Sequence, residues 1–312
     1  IDVCNATGTN GCYYSTILSE YTYNNYNNYA FLIKAYLTDG TYTYNLYDNG
    51  TLLNNGTTIT NTSYTVSSIT SNTIHQYTVT AYYSGGESTP SNKASLAIGA
   101  QTIGNLDLGN NDKMTITEDS KLTISGTLSN DNPDNLILEN GAQLINNSEG
   151  VKATVKKAIQ PYTDGKNDGW NLIASPITEN LDVADDVNGL VRGDYDLYIF
   201  DQAGNDGKEW RNYEEQAFTT IDNKVGYLYS NSNETMISFA GTLAGTAEPT
   251  TITRDNTVEF PGFNLTGNPY PCEVYTSKPF YTVQYDAVED KTYFDVGNNP
   301  IPPCSAILVQ AQ

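Results

Sequence analysis

Gly169-Trp170-Asn171-Leu172-Ile173-Ala174-Ser175-Pro176 returns 93 residues later as Gly262-Phe263-Asn264-Leu265-Thr266-Gly267-Asn268-Pro269. The shared pattern is Gly, aromatic, Asn, Leu, three open positions and Pro. A Gly to turn on, an aromatic and a Leu two residues apart on one face, an outward Asn between them and a Pro to stop the ladder describe a short strand entering a sandwich core. The apolar phase makes both octets paired core strands of one sandwich. They mark architecture, and binding chemistry belongs to the loops beside them.

The chain has 312 residues, 38% of them hydrophobic, enough for two or three cores. Its apolar residues are dispersed among Thr, Asn, Ser, Gly and 25 Tyr in short alternations, so strands are predicted to dominate. No run approaches the ~20 apolar residues of a membrane helix. Ile1 opens on polar sequence without a charged and then apolar leader, which reads as a mature soluble fragment. With 36 acids against 15 bases the net charge is −21. Such a surface repels phosphate backbones, which excludes nucleic acid as a partner, and attracts divalent cations. The same charge also keeps a secreted protein in solution.

Three segments are expected. In residues 1–98, Tyr42, Tyr44 and Leu46 share one phase, and Asn49-Gly50 is a hairpin turn in which both positions want positive φ. Tyr77, Val79 and Ala81 share the phase of the next long strand, and Ala94 to Ile98 forms another. In residues 99–158, "MTITEDSKLTIS" (114–125) aligns with "LILENGAQLINN" (136–147) at an offset of 22, so that Met114 meets Leu136, Ile116 meets Leu138 and Leu122 meets Leu144. A period near 20 suggests rungs of a β-solenoid, with a plain pair of hairpins as the competing reading. Two rungs bury too little alone, so this segment is expected to be a short connector packed on a neighbour. Residues 159–312 hold both octets, with strands near 197–200, 226–229, 236–239, 281–285 and 307–309, and read as a β-sandwich or jelly roll.

The stretches "YNLYDNGTLL", "TSYTVSSI" and "YTVTAYYSGGESTPSN" resemble the middle strands, the turn into strand F and the F–G hairpin of fibronectin type III domains. The resemblance implies that Tyr77 is the buried tyrosine of that family's corner, its hydroxyl bonding back to backbone near Ile69. Residues 1–40 depart from the pattern, with Glu20 near the place of the usual strand-B Trp. In the second half, "NLILENGAQLINNSEGVKATVKKAI", "GWNLIASPI", "GYLYSN", "ISFAGTL" and "GFNLTGNPYP" resemble segments of large surface and secreted proteins of the Bacteroidetes, often exported by the type IX pathway. That resemblance implies a secreted or cell-surface location and a role in adhesion.

Four cysteines form two local groups, Cys4 with Cys12 and Cys272 with Cys304, and in an extracytoplasmic chain two disulfides are expected, although three pairings are formally open. Bridging Cys272 to Cys304 would close a loop of about 30 residues and contribute on the order of 3 kcal/mol.

Catalytic chemistry finds few candidates. The one histidine, His75, lies just before the Tyr77 strand in an ordinary sandwich alternation, so Ser-His-Asp and Cys-His mechanisms lack a base. No Gly-x-Ser-x-Gly, phosphate-cradling loop or His-Glu-x-x-His occurs. Paired acids arise by chance among 36, and Glu209, Glu214 and Glu215 read as a solvated loop. The densest set of hard oxygen ligands runs from Asp201 to Glu209. Asp201, Asn205, Asp206 and Glu209 are the candidate calcium ligands, although Ala203 stands at the third position and no Glu closes the twelfth. An Asn/Gly/Asp turn without metal fits the same residues. Trp210, just after this turn, is the candidate ligand-binding aromatic.

These readings together lead to the expectation of a non-catalytic extracellular surface protein for cell adhesion, ligand binding or structural display. Its partner would be a glycan or protein of a host or bacterial surface. The alternative is a carbohydrate-binding or spacer region of a secreted enzyme whose catalytic domain lies upstream.

Overall fold

The computed structural model of the chain describes residues 43–312 apart from 56, 67–68, 84–85, 185–187, 205–206, 216 and 246–249, with strand backbone at Asp2–Val3, Tyr13–Thr16, Tyr29–Leu32 and Lys34–Ala35. Cys4, Cys12, Glu20, Asn205 and Asp206 lie outside the described residues. The fold is all-β, and among the described residues no helix reaches seven residues.

Period-two alternation builds the first sheet as expected. Strand β1 (Thr43–Asp48) turns through Asn49 and Gly50, at φ +49° and +78°, and pairs with Thr51–Leu52. Tyr44 and Leu46 face inward with Tyr77 and Val79 of β2 (Ile74–Tyr83), and Ile69 packs on this cluster. His75 ties β2 to the 69–70 turn and to β1, its Nε2 lying 3.1 Å from the Thr70 carbonyl oxygen and its Nδ1 2.5 Å from Asp48 Oδ2.

From β3 (Ala94–Ala97) the chain begins to coil. Strand β3 pairs antiparallel with β2 on one edge and parallel with β5 (Lys113–Ile116) on the other. Strands β7 (Leu136–Leu138) and β9 (Lys152–Ile159) continue this parallel ladder. A second ladder joins β4 (Ala100–Ile103), β6 (Lys121–Ile124) and β8 (Gln143–Ile145). The 22-residue offset is the register: Met114 pairs with Leu136, Ile116 with Leu138 and Leu122 with Leu144. Like residues therefore stack inward turn over turn, all but excluded from solvent. The stack is longer than the aligned segments indicate, because β3 adds a turn before it and β9 one after it. Strand β14 (Thr235–Thr242) closes the row antiparallel to β9, so a single nine-stranded sheet crosses residues 98 and 158 without a break.

The octets open two further sheets. In the first, β10 (Asn171–Ala174), β11 (Tyr195–Phe200), β12 (Trp210–Asn212) and β13 (Gly226–Asn231) lie in the order β10-β13-β11-β12. In the second, β15 (Phe263–Gly267), β16 (Phe280–Asp286), β17 (Lys291–Val296) and β18 (Ala306–Gln310) lie in the order β15-β18-β16-β17. The order, the antiparallel sense and the register all repeat. Leu172 opposes Leu228 as Leu265 opposes Leu308, Tyr198 opposes Leu228 as Tyr281 opposes Leu308, and Phe200 opposes Trp210 as Val283 opposes Phe294. The two sheets are two copies of one four-stranded unit. Within each octet the Gly has positive φ, and the Asn side-chain amide donates to that Gly's carbonyl, at 2.9 Å from Asn171 and 2.6 Å from Asn264. Leu172 and Leu265 enter the shared core between the sheets.

The copies pack about a pseudo-two-fold axis. Gly267 N donates to Lys224 O at 3.0 Å, and its counterpart Ala174 N donates to Cys304 O at 3.2 Å. Val225 bridges to Thr266 as Ser305 bridges to Ile173. Each copy gives the other the same contact it receives, as in an isologous dimer. Counterparts meet at the axis, where space for a methyl exists on one side only. A Cβ on Gly267 would lie 2.4 Å from that of Ala174, and one on Gly226 would lie 2.8 Å from that of Ala306.

The loop leading into the first octet is fixed to the β16–β17 turn. Asp168 accepts from the Thr163 amide and hydroxyl, both at 2.7 Å, and Asp290 Oδ1 accepts from Asn167 N at 3.0 Å and from the Tyr285 hydroxyl at 2.9 Å. The Thr163 amide holds the Asp168 carboxyl, and the Asn167 amide the Asp290 carboxyl, below the usual carboxylate range. A depressed carboxylate contributes stability above its unfolded pKa and loses it as pH falls through the folded one. The Thr163 and Asn167 amide resonances are therefore expected to hold their positions at pH 5 and to shift only below the ordinary Asp value of about 3.9. Movement centred at pH 5 or above in an NMR titration would contradict these bonds.

Gly267→Ala is expected to lower stability by about 2–3 kcal/mol through overpacking at the axis. Ala174→Gly in the same chain should recover part of that loss, since Val225 O also lies 2.7 Å from the added methyl. Unfolding midpoints in denaturant measure both, and an unchanged midpoint for Gly267→Ala would refute the close approach.

Candidate functional site

The rim of the sandwich at β12 and β17 carries the aromatic side chain expected to bind ligand. Register sets its direction: Phe200 and Trp210 are opposed on adjacent strands, so both point into the space between the sheets. The Trp210 ring meets Phe200 edge-on at 5.2 Å and stacks on Phe294 at 5.7 Å with 14° between planes. Phe294 is the counterpart of Trp210 in the second copy, so this pair also sits on the pseudo-axis. Trp210 is half-buried, and its ring is engaged in joining the two sheets. Trp170 instead packs within its own sheet, edge-on to Tyr198 at 5.9 Å, and its counterpart Phe263 lies tilted against Tyr281 at 6.0 Å within the second.

The acidic turn before Trp210 continues the hairpin, with Asp201 N donating to Glu209 O at 2.7 Å. The Asp201 carboxylate accepts from Ala203 N at 3.0 Å and from Arg211 Nη1 at 3.2 Å. Both carboxylate oxygens are thus occupied, one in closing the turn and one by a cation of the chain itself. Glu209 is buried at 3% exposure, and its Oε1 has no hydrogen-bond partner among the described residues. Among the described residues no three His, Cys, Asp or Glu side chains converge on a common point. Of the four candidate calcium ligands, Asp201 and Glu209 are joined through their backbones, while Asn205 and Asp206 lie outside the described residues.

The Cys272–Cys304 bridge expected from the sequence is not formed, and both residues are free thiols. Their surroundings give the reason. Cys304 adopts a left-handed conformation, φ +54°, just ahead of β18, and packs into the large core shared with the coiled region. Lys157 is its charged neighbour, and burial pushes its thiol up to about 12. Cys272 is only half-buried and lies near Lys121 and Glu273, its thiol raised mainly by burial.

A slot of about 170 Å³ escapes the sequence reading. It is lined by Thr282 and Val283 of β16, Ala306 and Ile307 of β18, Ile301 and Leu172 among others. The strand pair β16–β18 ends at Tyr281 and Leu308, and the slot occupies the fork beyond. The available signal lies in the link from β17 to β18, residues 297–305, where Pro at 300, 302 and 303 replaces the longer segment of the first copy.

Alkylation of the denatured protein without reductant is expected to modify both Cys272 and Cys304, whereas under native conditions Cys304 should stay unlabelled. Peptide mass analysis showing the two joined would restore the bridge. No family model, no curated protein and no solved structure matches this chain.

Proposed function

We propose that this chain is a non-catalytic extracellular protein that serves adhesion or surface display, with a surface glycan or protein as its partner. In this reading residues 1–98 are a fibronectin type III-like module, residues 99–158 a β-solenoid-like connector, and residues 159–312 a duplicated β-sandwich. The sequence resemblance to secreted and surface proteins of the Bacteroidetes supports the location. The observation that carries the non-catalytic reading is the use made of the single histidine. His75 is 6% exposed and held between Asp48 and the Thr70 carbonyl, so the one imidazole of the chain serves as a strut between strands. The unbroken nine-stranded sheet supports a role in display, because it ties the module to the sandwich through backbone hydrogen bonds. Among the described residues no helix is long and apolar enough to cross a membrane.

The test is a binding screen of the whole chain on glycan arrays, mucins and immobilised matrix proteins, run beside assays for release of reducing sugar from polysaccharides. Saturable binding without turnover is the expected result. Turnover of any polysaccharide, or a blank screen on every surface, would overturn the proposal. A hydrolase domain encoded upstream of residue 1 in the same reading frame would favour the accessory region of an enzyme.

A further inference from the structure

The duplication supplies an internal control for the slot between β16 and β18. In both copies the two inner strands part at the same register, after Tyr198 and Leu228 in the first and after Tyr281 and Leu308 in the second. In the first copy the fork is filled. The link from β12 to β13 makes a 3₁₀ turn at Tyr213–Glu215 and then brings Phe218 to 5.5 Å from the ring of Tyr227. Ile199 and Val225 pack beside them in the main core. The Tyr227 hydroxyl, which accepts from Asp222 N at 2.8 Å and donates to Thr220 O at 3.2 Å, completes the closure.

In the second copy Ile307 stands in the place of Tyr227, since each directly follows the small residue at the axis, Ala306 or Gly226. The link here is shorter and has no aromatic residue: Gly297, Asn298, Asn299, Pro300, Ile301, Pro302, Pro303, Cys304, Ser305. Gly297 donates to Phe280 O at 2.8 Å and passes over the Phe280 ring, where a Cβ would lie 2.2 Å from Cε2. Replacing the tyrosine by isoleucine and losing the phenylalanine leaves the fork open, with the volume of about 170 Å³. An apolar cavity of about 150 Å³ holds one benzene ring. The lining carries no charged side chain, and its polar members, Thr282, Asn298 and Ser305, are neutral.

We propose that this fork is a binding site for one small, uncharged aromatic molecule, whose ring takes the place that Phe218 fills in the first copy. A carboxylate or ammonium on the ligand would enter without a counter-charge, which the lining disfavours. The site is independent of any adhesive role of the chain.

Toluene, phenol, benzoate and glucose, titrated separately into the methyl-labelled full chain and followed by NMR, test this directly. Toluene and phenol are expected to give saturable shifts confined to the methyl groups of Leu172, Val283, Ile301 and Ile307, with benzoate at least tenfold weaker and glucose silent. Asn298→Phe places a ring on the exposed link and Thr282→Leu fills the fork from β16, so each should abolish the toluene shifts. Either variant that retains the wild-type spectrum elsewhere serves for the comparison. Absence of shifts with toluene, benzoate binding as tightly as toluene, or shifts that persist in a folded plugged variant would overturn the proposal.

Discussion

The second half of the chain depends on a steric constraint at the pseudo-two-fold axis, where two backbone strands approach so closely that one methyl fits and two do not. The constraint acts twice, at Ala174 against Gly267 and at Gly226 against Ala306. In each pair one copy of the duplicated unit has kept a Cβ and the other has given it up. A strictly symmetric pair of alanines would clash, so covalent joining of the two copies has allowed an asymmetry closed to a homodimer of identical chains. The carbonyls that accept across this contact belong to Lys224 and Cys304, which both adopt the left-handed conformation that non-glycine residues rarely take. Cys304 is therefore held by its backbone role, and its sulfur follows the strand into the core.

The same axis explains the aromatic rim. Trp210 and Phe294 occupy equivalent positions and stack on one another, so a tryptophan that follows an acidic loop in sequence is drawn inward by its cross-strand register with Phe200. Sequence order places Trp210 beside Asp201 and Glu209, whereas strand alternation sends it to the opposite face. Proximity along the chain is a poor guide to a site where period-two geometry separates neighbours.

What could be read in the sequence followed from local rules repeated in register. The Asn49-Gly50 turn, the inward phase of Leu172 and Leu265, and the 22-residue offset that sets Met114 on Leu136 each depend on side-chain spacing along one stretch of chain. The coil beyond two turns was hidden because its spacing drifts: Ile116 lies 19 residues after Ala97, whereas Val155 lies 17 after Leu138. Outside the octets, the duplication was hidden for a different reason. Tyr227 and Tyr229 correspond to Ile307 and Val309, and the long loop after β11 corresponds to a tight turn after β16, so register survives where identity does not. The pairing of Cys272 with Cys304 was expected from their grouping in sequence and the extracytoplasmic look of the chain, and neither signal encodes the left-handed turn that carries Cys304 into the core.

Divergence between the copies follows what each sheet faces. The outer face of the first sheet presents Tyr195, Tyr227 and Tyr229 to the coiled wall and β14, and the phenol rings of Tyr195 and Tyr229 stack at 5.2 Å. Burial raises the pKa of all three phenols. Their hydroxyls remain within reach of polar partners: Tyr195 donates to Val183 O, and Tyr229 accepts from Asn231 at 2.8 Å. Such a face is tolerated because those hydrogen bonds offset the loss of water. Among the described residues, the matching face of the second sheet packs against loops. Phe280, Ile307 and Val309 pack there with Ile252, Val274 and Ile301, and aliphatic side chains suit a cover that offers few polar partners. One copy has thus been committed to anchoring the sandwich on the rest of the chain. The other meets the coil through the residues that link its strands, with Leu144 N donating to Pro271 O at 2.8 Å, and leaves the fork between β16 and β18 unfilled.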